Sequence, residues 1–231
     1  MVGGGVRLRG VMLLAASSPL APVAHAGAWS VPEGKQQWYA TVSRETGDFG
    51  QAWRADDFTE VGVGDGWQVV TKLESQISIG DTYDDRSGFR VGVQKAFAID
   101  DRTSFSLLAS YLGGESLDGA ECVGGGYEVR AAIGRSFALG DRDGYVNFEA
   151  GHRARDDCER NVLEVAAGLE FAPSWNLDLK AWQDGGSDGS AKAELNLGYD
   201  LGFVGVGVGW RQEISGNFEE KGWIVSAQTR F

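Results

Sequence analysis

The sequence predicts an all-β fold: a transmembrane antiparallel up-and-down β-barrel of about 12 strands, with short turns at one end and longer loops at the other. Three observations carry this. Apolar and polar residues alternate through segment after segment, each close to the roughly 9 to 11 residues that a tilted strand needs to cross a bilayer. The connections alternate between short and long. The chain ends on "GWIVSAQTRF", where Trp223, Val225, Ala227, Thr229 and Phe231 share one face and Ile224, Ser226, Gln228 and Arg230 the other. A two-faced strand at a terminus needs a neighbour on each side, and closing the sheet on itself supplies both.

In chain order, the first two strands lie near Trp38 to Glu45 and Trp53 to Val61 and are the least regular; ten and fourteen strands are the neighbouring counts. Then come "WQVVTKLESQISI", "FRVGVQKAFAI", "TSFSLLASY", "YEVRAAIGRSF", "YVNFEAGH", "VLEVAAGLEF", "WNLDLKAW", "AKAELNLGYDL", "VGVGVGWRQE" and the terminal strand. In the tenth, Ala191, Ala193, Leu195, Leu197, Tyr199 and Leu201 alternate without exception with Lys192, Glu194, Asn196, Gly198 and Asp200. Helical steps from Ala191 would land on Glu194 and Gly198, so a helix is excluded. The short links are "GVGDG", "AIDDR", "LGDRDG", "FAPS" and "DLGF". The long ones are "ETGDFGQA", "DTYDDRSG", "GGESLDGAECVGGG", "RARDDCER", "DGGSDGSA" and "SGNFEEK", and this order puts both termini at the turn end.

Composition agrees. Against 35 glycines stand only 4 prolines in 231 residues, which favours strands and turns, and no apolar run reaches the 18 residues of a spanning helix. With 33 acidic and 21 basic residues the chain is a poor partner for nucleic acid. Residues 1–26 differ from the rest: Arg7 and Arg9, no acid, the apolar "VMLLAA", and Ala24 and Ala26 as the small residues of a cleavage site. They read as a signal peptide, leaving 27–231 as the barrel.

Parity assigns the faces. Outward aromatics gather in two girdles: Trp67, Phe97, Phe105, Phe137, Phe171, Trp175, Tyr199 and Phe231 at the turn end, and Phe89, Tyr111, Tyr127, Trp210 and Trp223 at the loop end. Between them lie Val91, Val93, Leu107, Ala131, Ile133, Val165 and Leu195. Lys95 and Arg135 also fall outward, each two residues before a turn-end aromatic, where a long stem snorkels to the headgroups; a bulge that turns them inward is the alternative.

The inward parity holds Lys72, Arg90, Arg130, Arg153, Lys180, Lys192, Arg211 and Arg230 against Glu74, Glu128, Glu149, Glu164, Glu170, Asp178, Glu194, Asp200 and Glu213. All of these but Arg230, Glu170, Asp178 and Asp200 are the candidate pore-lining residues, and the plain alternative is a salt-bridged, hydrated wall. Interleaved glycines and alanines, among them Gly134, Gly168, Gly198 and Gly207, are too small to fill an interior. The acidic loop residues Asp81, Asp84, Asp85, Asp156, Asp157, Asp184 and Asp188 read as a solvated rim, and the loop from Gly113 to Gly126 as a partial plug.

Catalytic and cofactor chemistry finds little support. The one histidine beyond residue 26, His152, faces lipid by parity, and Ala154 stands where barrel phospholipases and deacylases carry serine. Cys122, Cys158 and His152 lack zinc spacing, and "GVGVG" lacks the Lys-Ser/Thr of a phosphate loop, so no metal or cofactor is expected. Cys122 and Cys158 lie in adjacent long loops of an exported chain and are expected to form a disulfide.

The terminal aromatic strand, the strand-and-turn rhythm and the exported start are similar to bacterial outer-membrane β-barrel proteins. "GAWSVPEGKQQ" and "GRSFALGDRDGYVNFEAGHR" resemble a porin-like group of them in Gram-negative bacteria. The resemblance implies outer-membrane lipid and lipopolysaccharide as surroundings. It also implies that the barrel assembly machinery reads the last strand, with Trp223, Val225 and Phe231 as its signal; Thr229 is less apolar than that pattern prefers. Three functions fit: a narrow pore or facilitator for small solutes with weak cation preference, a structural or surface-interaction barrel, and, least well, a barrel hydrolase.

Overall fold

A computed structural model describes residues 27–48, 50–80, 85–115, 122–156, 158–186 and 189–231; the segment read as a signal peptide lies outside them. Twelve strands occupy the described residues: β1 (Gln36–Gly47), β2 (Gly50–Gly64), β3 (Trp67–Ile79), β4 (Arg86–Ala98), β5 (Thr103–Gly114), β6 (Gly126–Leu139), β7 (Arg142–Arg155), β8 (Glu159–Ala172), β9 (Trp175–Asp184), β10 (Ser190–Asp200), β11 (Gly205–Ser215) and β12 (Lys221–Arg230). Each pairs antiparallel with the next, and β1 pairs with β12, so the sheet closes. The seam runs through Trp38↔Thr229, Ala40↔Ala227 and Val42↔Val225. Gln36 and Phe231 seal its turn end by donating backbone N–H groups to each other's carbonyls, at 3.2 and 2.9 Å.

Local chemistry fixes the turns. Between β2 and β3 the chain reverses over Asp65 and Gly66, with φ of 50° and 75°. Two positive φ values in a row match the strand twist, and Asp-Gly tolerates them at low cost. Between β4 and β5 Asp100 Oδ1 accepts from the N–H groups of Arg102 (2.8 Å) and Thr103 (2.7 Å). The Arg102 bond foremost holds this exposed carboxyl below its ordinary pKa.

At the other end the connections are less uniformly long than the sequence suggests. Only positions 48 and 49 separate β1 from β2, because pairing continues through Glu45↔Ala52 and Gly47↔Gly50. "RARDDCER" is likewise mostly strand, with Ala154 opposite Glu159. These strands extend past the apolar band, and their backbone goes on pairing there.

The distribution of polarity is inverted relative to a water-soluble barrel. Outside, Leu179 is 52% exposed, Val165 50% and Val93 48%, whereas Glu128, Lys192 and Arg54 are at most 2% exposed inside. A continuous apolar exterior around a charged interior needs an apolar solvent, which a bilayer supplies. Phe58, Val70 and Leu108, with Tyr39 against them, form only a small inner cluster. The girdles take shape as ring contacts: Trp175–Tyr199 at 4.8 Å and Phe97–Phe105 at 6.2 Å at the turn end, Trp210–Trp223 at 5.0 Å and Tyr111–Tyr127 at 5.8 Å at the loop end. Lys95 is outward: its ammonium reaches the carbonyl of Asp65 in the turn and lies 5.1 Å from the Trp67 ring centroid. Arg135 is also outward, opposite Thr103, and no bulge reverses either strand there.

Candidate pore lumen

Period-2 alternation sends every second side chain of each strand inward, and the charged ones meet in two groups. In the first, Glu128 accepts from Arg90 Nη1 (2.7 Å), Arg130 Nε (2.8 Å) and Arg153 Nε (2.9 Å). Arg153 continues to Asp184 at 2.9 Å, Arg130 reaches Glu149 at 3.4 Å, and Lys180 pairs with Glu164 at 2.9 Å. In the second, Arg211 lies between Glu45 and Glu194, 2.9 Å from each. Arg54 holds Asp56 at 3.2 Å, and Lys72 pairs with Glu74. Trp182 joins the groups, its ring centroid 5.4 Å from Lys180 Nζ and 5.4 Å from the Arg211 guanidinium. Two acids take neutral donors instead: Gln68 donates to Glu60 at 2.8 Å, and Tyr145 to Asp178 at 3.0 Å.

These side chains surround an open cavity in the middle of the barrel. Of the sequence candidates, Lys72, Glu74, Arg90, Arg130, Glu149, Arg153, Glu164, Lys180, Glu194 and Arg211 line it. Glu128 and Lys192 face inward but lie covered, Glu128 beneath its three arginines. Glu213 is a loop anchor: its Oε2 accepts the N–H groups of Phe218 and Glu220, each at 3.1 Å. Glu220, in that loop, meets the Lys192 ammonium, and burial first, then a hydrogen bond with Glu45, push its carboxyl up to about 7.

Asp184 departs from the rim expectation. As the last residue of β9 it keeps the inward parity of Asp178, Lys180 and Trp182, and it is 2% exposed against Arg153. Asp81, Asp84, Asp157 and Asp188 lie outside the described residues, as does the middle of the Gly113–Gly126 loop. The small inner residues are not simply voids: a Cβ on Gly168 would come 2.2 Å from the Tyr145 ring and one on Gly134 2.3 Å from Trp29. Glycine here makes room for a neighbour. His152 is outward and meets Asn161 at 3.1 Å, and Cys122 and Cys158 form a disulfide at the loop end.

Sequence reasoning missed Glu45, Arg54, Asp56 and Trp182. The first three lie on the two irregular strands; adjacent Asp56 and Asp57 hide the alternation there. Asp57 points outward and accepts the Trp38 indole N–H at 2.6 Å.

A closed twelve-stranded barrel with an apolar exterior, aromatic girdles and a charged lumen defines the architecture of an outer-membrane β-barrel. Comparison with known proteins places it more closely. No protein family and no curated protein sequence matches the chain. Solved structures do match in fold. The COG4313 outer membrane channel from Pseudomonas putida F1 gives a TM-score of 0.63 at 9% identity, over 90% of this chain and all (100%) of that one. The KdgM porin in complex with disordered oligogalacturonate gives 0.59 at 10% identity, over 84% and 99%, and the NanC porin 0.58 at 11%, over 83% and 98%. The fold is that of bacterial outer-membrane porins and channels.

Proposed function

We propose that the protein is a narrow outer-membrane pore for small hydrophilic solutes with a weak preference for cations. The observation that carries this is the open, charge-lined cavity inside a barrel whose exterior suits lipid. A barrel of this strand number lies between small filled ones and wide porins, so its bore depends on its lining. Paired acids and bases keep that lining wet and nearly neutral. The loop end carries acids, Asp48, Asp85, Glu115, Asp156 and Glu219 among the described residues, and a negative rim favours cations. Porins and channels among the similar structures support passage of polar molecules; at their low identity they do not carry a particular solute to this chain. A hydrolase reading has no support in the placement of His152 on the outer wall with Asn161 beside it.

Swelling of liposomes containing the refolded protein tests the pore. Small uncharged sugars are expected to enter and larger oligosaccharides to be excluded. Liposomes that do not swell, around protein whose band still shifts on unheated gels, would transfer the case to a structural or surface-interaction barrel.

A further inference from the structure

The chain does not go directly from its start into the wall. Residues 27–31 run inside the barrel, and a tight reversal at Pro32 to Lys35 then leads into β1. Lys35 N–H donates to the Pro32 carbonyl, Gly34 N–H to Gly62 and Gly62 N–H to Lys35, each at 3.0 Å. A Cβ at Gly62 would come 2.2 Å from the Pro32 oxygen, so this crossing requires glycine in β2.

The inner segment is fastened to five consecutive strands, all in their turn-side halves. Gln68 of β3 accepts the Val31 N–H at 2.8 Å. Gln94 of β4 and Ser106 of β5 donate to the Gly27 carbonyl at 2.8 and 3.1 Å, and Asn147 of β7 accepts the Ala28 N–H at 3.3 Å. Trp29 lies over Gly134 of β6 and meets Tyr145 of β7 edge-on, with centroids 6.1 Å apart at 85°. In a wall otherwise rich in charge, the groups here are neutral amides and a hydroxyl, which satisfy peptide N–H and C=O groups without an ion. Ala28 is fully covered.

Across the lumen the turn-side halves of β10 to β12 carry Gly198, Gly205 and Gly207 inward, covered by the side chains of Asn176, Asn196, Ser226 and Gln228, so the strap faces a polar wall of amides and a hydroxyl. Tyr145 touches Trp29 on one side and lines the central cavity on the other, which makes the strap the turn-side floor of that cavity.

We propose that the strap at residues 27–31 is the constriction of the pore and that Trp29, seated on Gly134, is the residue that sets its size limit. The inference rests on the pore reading. A solute leaving the central cavity towards the turn side passes between the indole and this amide-lined wall, and must be narrow and able to hydrogen-bond with Asn196 and Ser226, which already bond each other at 3.1 Å. Loss of the indole opens this passage, whereas a side chain at position 134, 2.3 Å from the ring, pushes the indole off its wall and narrows it, while the strands keep their pairing.

Single-channel recording and sugar-size exclusion on full-length wild type, Trp29→Gly and Gly134→Ala test it. Because bore in a barrel of this size follows what fills it, Trp29→Gly is expected to raise conductance about twofold or more and to admit larger sugars, and Gly134→Ala to lower conductance and tighten the size limit. Trp175→Gly, on the outer wall, is the control and should match wild type. Silent wild type with conducting Trp29→Gly supports the strap as the closure. Equal conductance in wild type and both variants overturns Trp29 as the constriction and leaves the pore standing. No channel from any folded variant overturns both readings. Trp29 lies outside the strands, so Trp29→Gly carries the test if Gly134→Ala does not fold.

Discussion

Asp57 is where a single residue opposes its surroundings. Its carboxyl projects from β2 onto the lipid-facing wall and is answered by the Trp38 indole at 2.6 Å. Acids on that face destabilise barrels less than Arg or Lys do, and a donor of its own lowers the cost further. Trp38→Phe keeps the ring and removes the N–H, and a lost hydrogen bond to a charged partner costs about 1.5 to 3 kcal/mol. Urea unfolding from lipid vesicles should show that loss for Trp38→Phe and little or none when Asp57→Leu is added. An additive double variant would mean the pair is not coupled. The same residue explains why the early strands were hard to read: adjacent acids, one inward and one outward, erase the period-2 signal that made β10 unambiguous. Where outward positions were aromatic or aliphatic the lumen was legible, and Lys180, Glu194 and Arg211 took their faces from parity alone.

At the scale of elements, the β11–β12 hairpin ends in a loop tied down by carboxyl groups. Glu213 holds two of its N–H groups, and buried Glu220, pushed up to about 7, keeps its proton beside Glu45. An ordinary glutamate loses its proton near 4.3. Between those values the folded barrel binds a proton that the unfolded chain does not, so this group's contribution falls as pH rises through the window. Amide exchange of the β11–β12 loop should therefore quicken as pH approaches and passes 7, beyond the intrinsic base dependence, and Glu220→Gln should remove the excess. An unchanged profile in that variant would assign the effect elsewhere. The β5–β6 and β7–β8 connections are joined by the Cys122–Cys158 disulfide, which constrains the unfolded chain by about 3 to 4 kcal/mol in the chain-entropy view. Cysteine placement made that bond legible. The length of the outer connections was not, because nothing in "ETGDFGQA" or "RARDDCER" shows that strand pairing continues beyond the bilayer.

For the whole molecule, closure and inverted polarity follow from one pattern, repeated alternation with aromatics at both ends of the outer face, and this made the twelve-stranded barrel readable in advance. The inner strap was not readable. Residues 27–31 carry no periodicity, and their place inside depends on Gln68, Gln94, Ser106 and Asn147, scattered over four strands that only the closed sheet brings together. The inner glycines illustrate the same limit: small size was visible, but not that Trp29 and Tyr145 cover two of them. The account's central claim is a conducting lumen whose wall is near neutral and whose loop-end rim is acidic. Planar-bilayer recording across a potassium chloride gradient tests it most directly. The expected result is discrete small channels whose reversal potential has the cation-selective sign and shrinks as salt screens the acidic rim within a Debye length of about 8 Å at physiological strength. Folded protein that inserts without conducting, or a reversal potential of the anion-selective sign, would contradict the account.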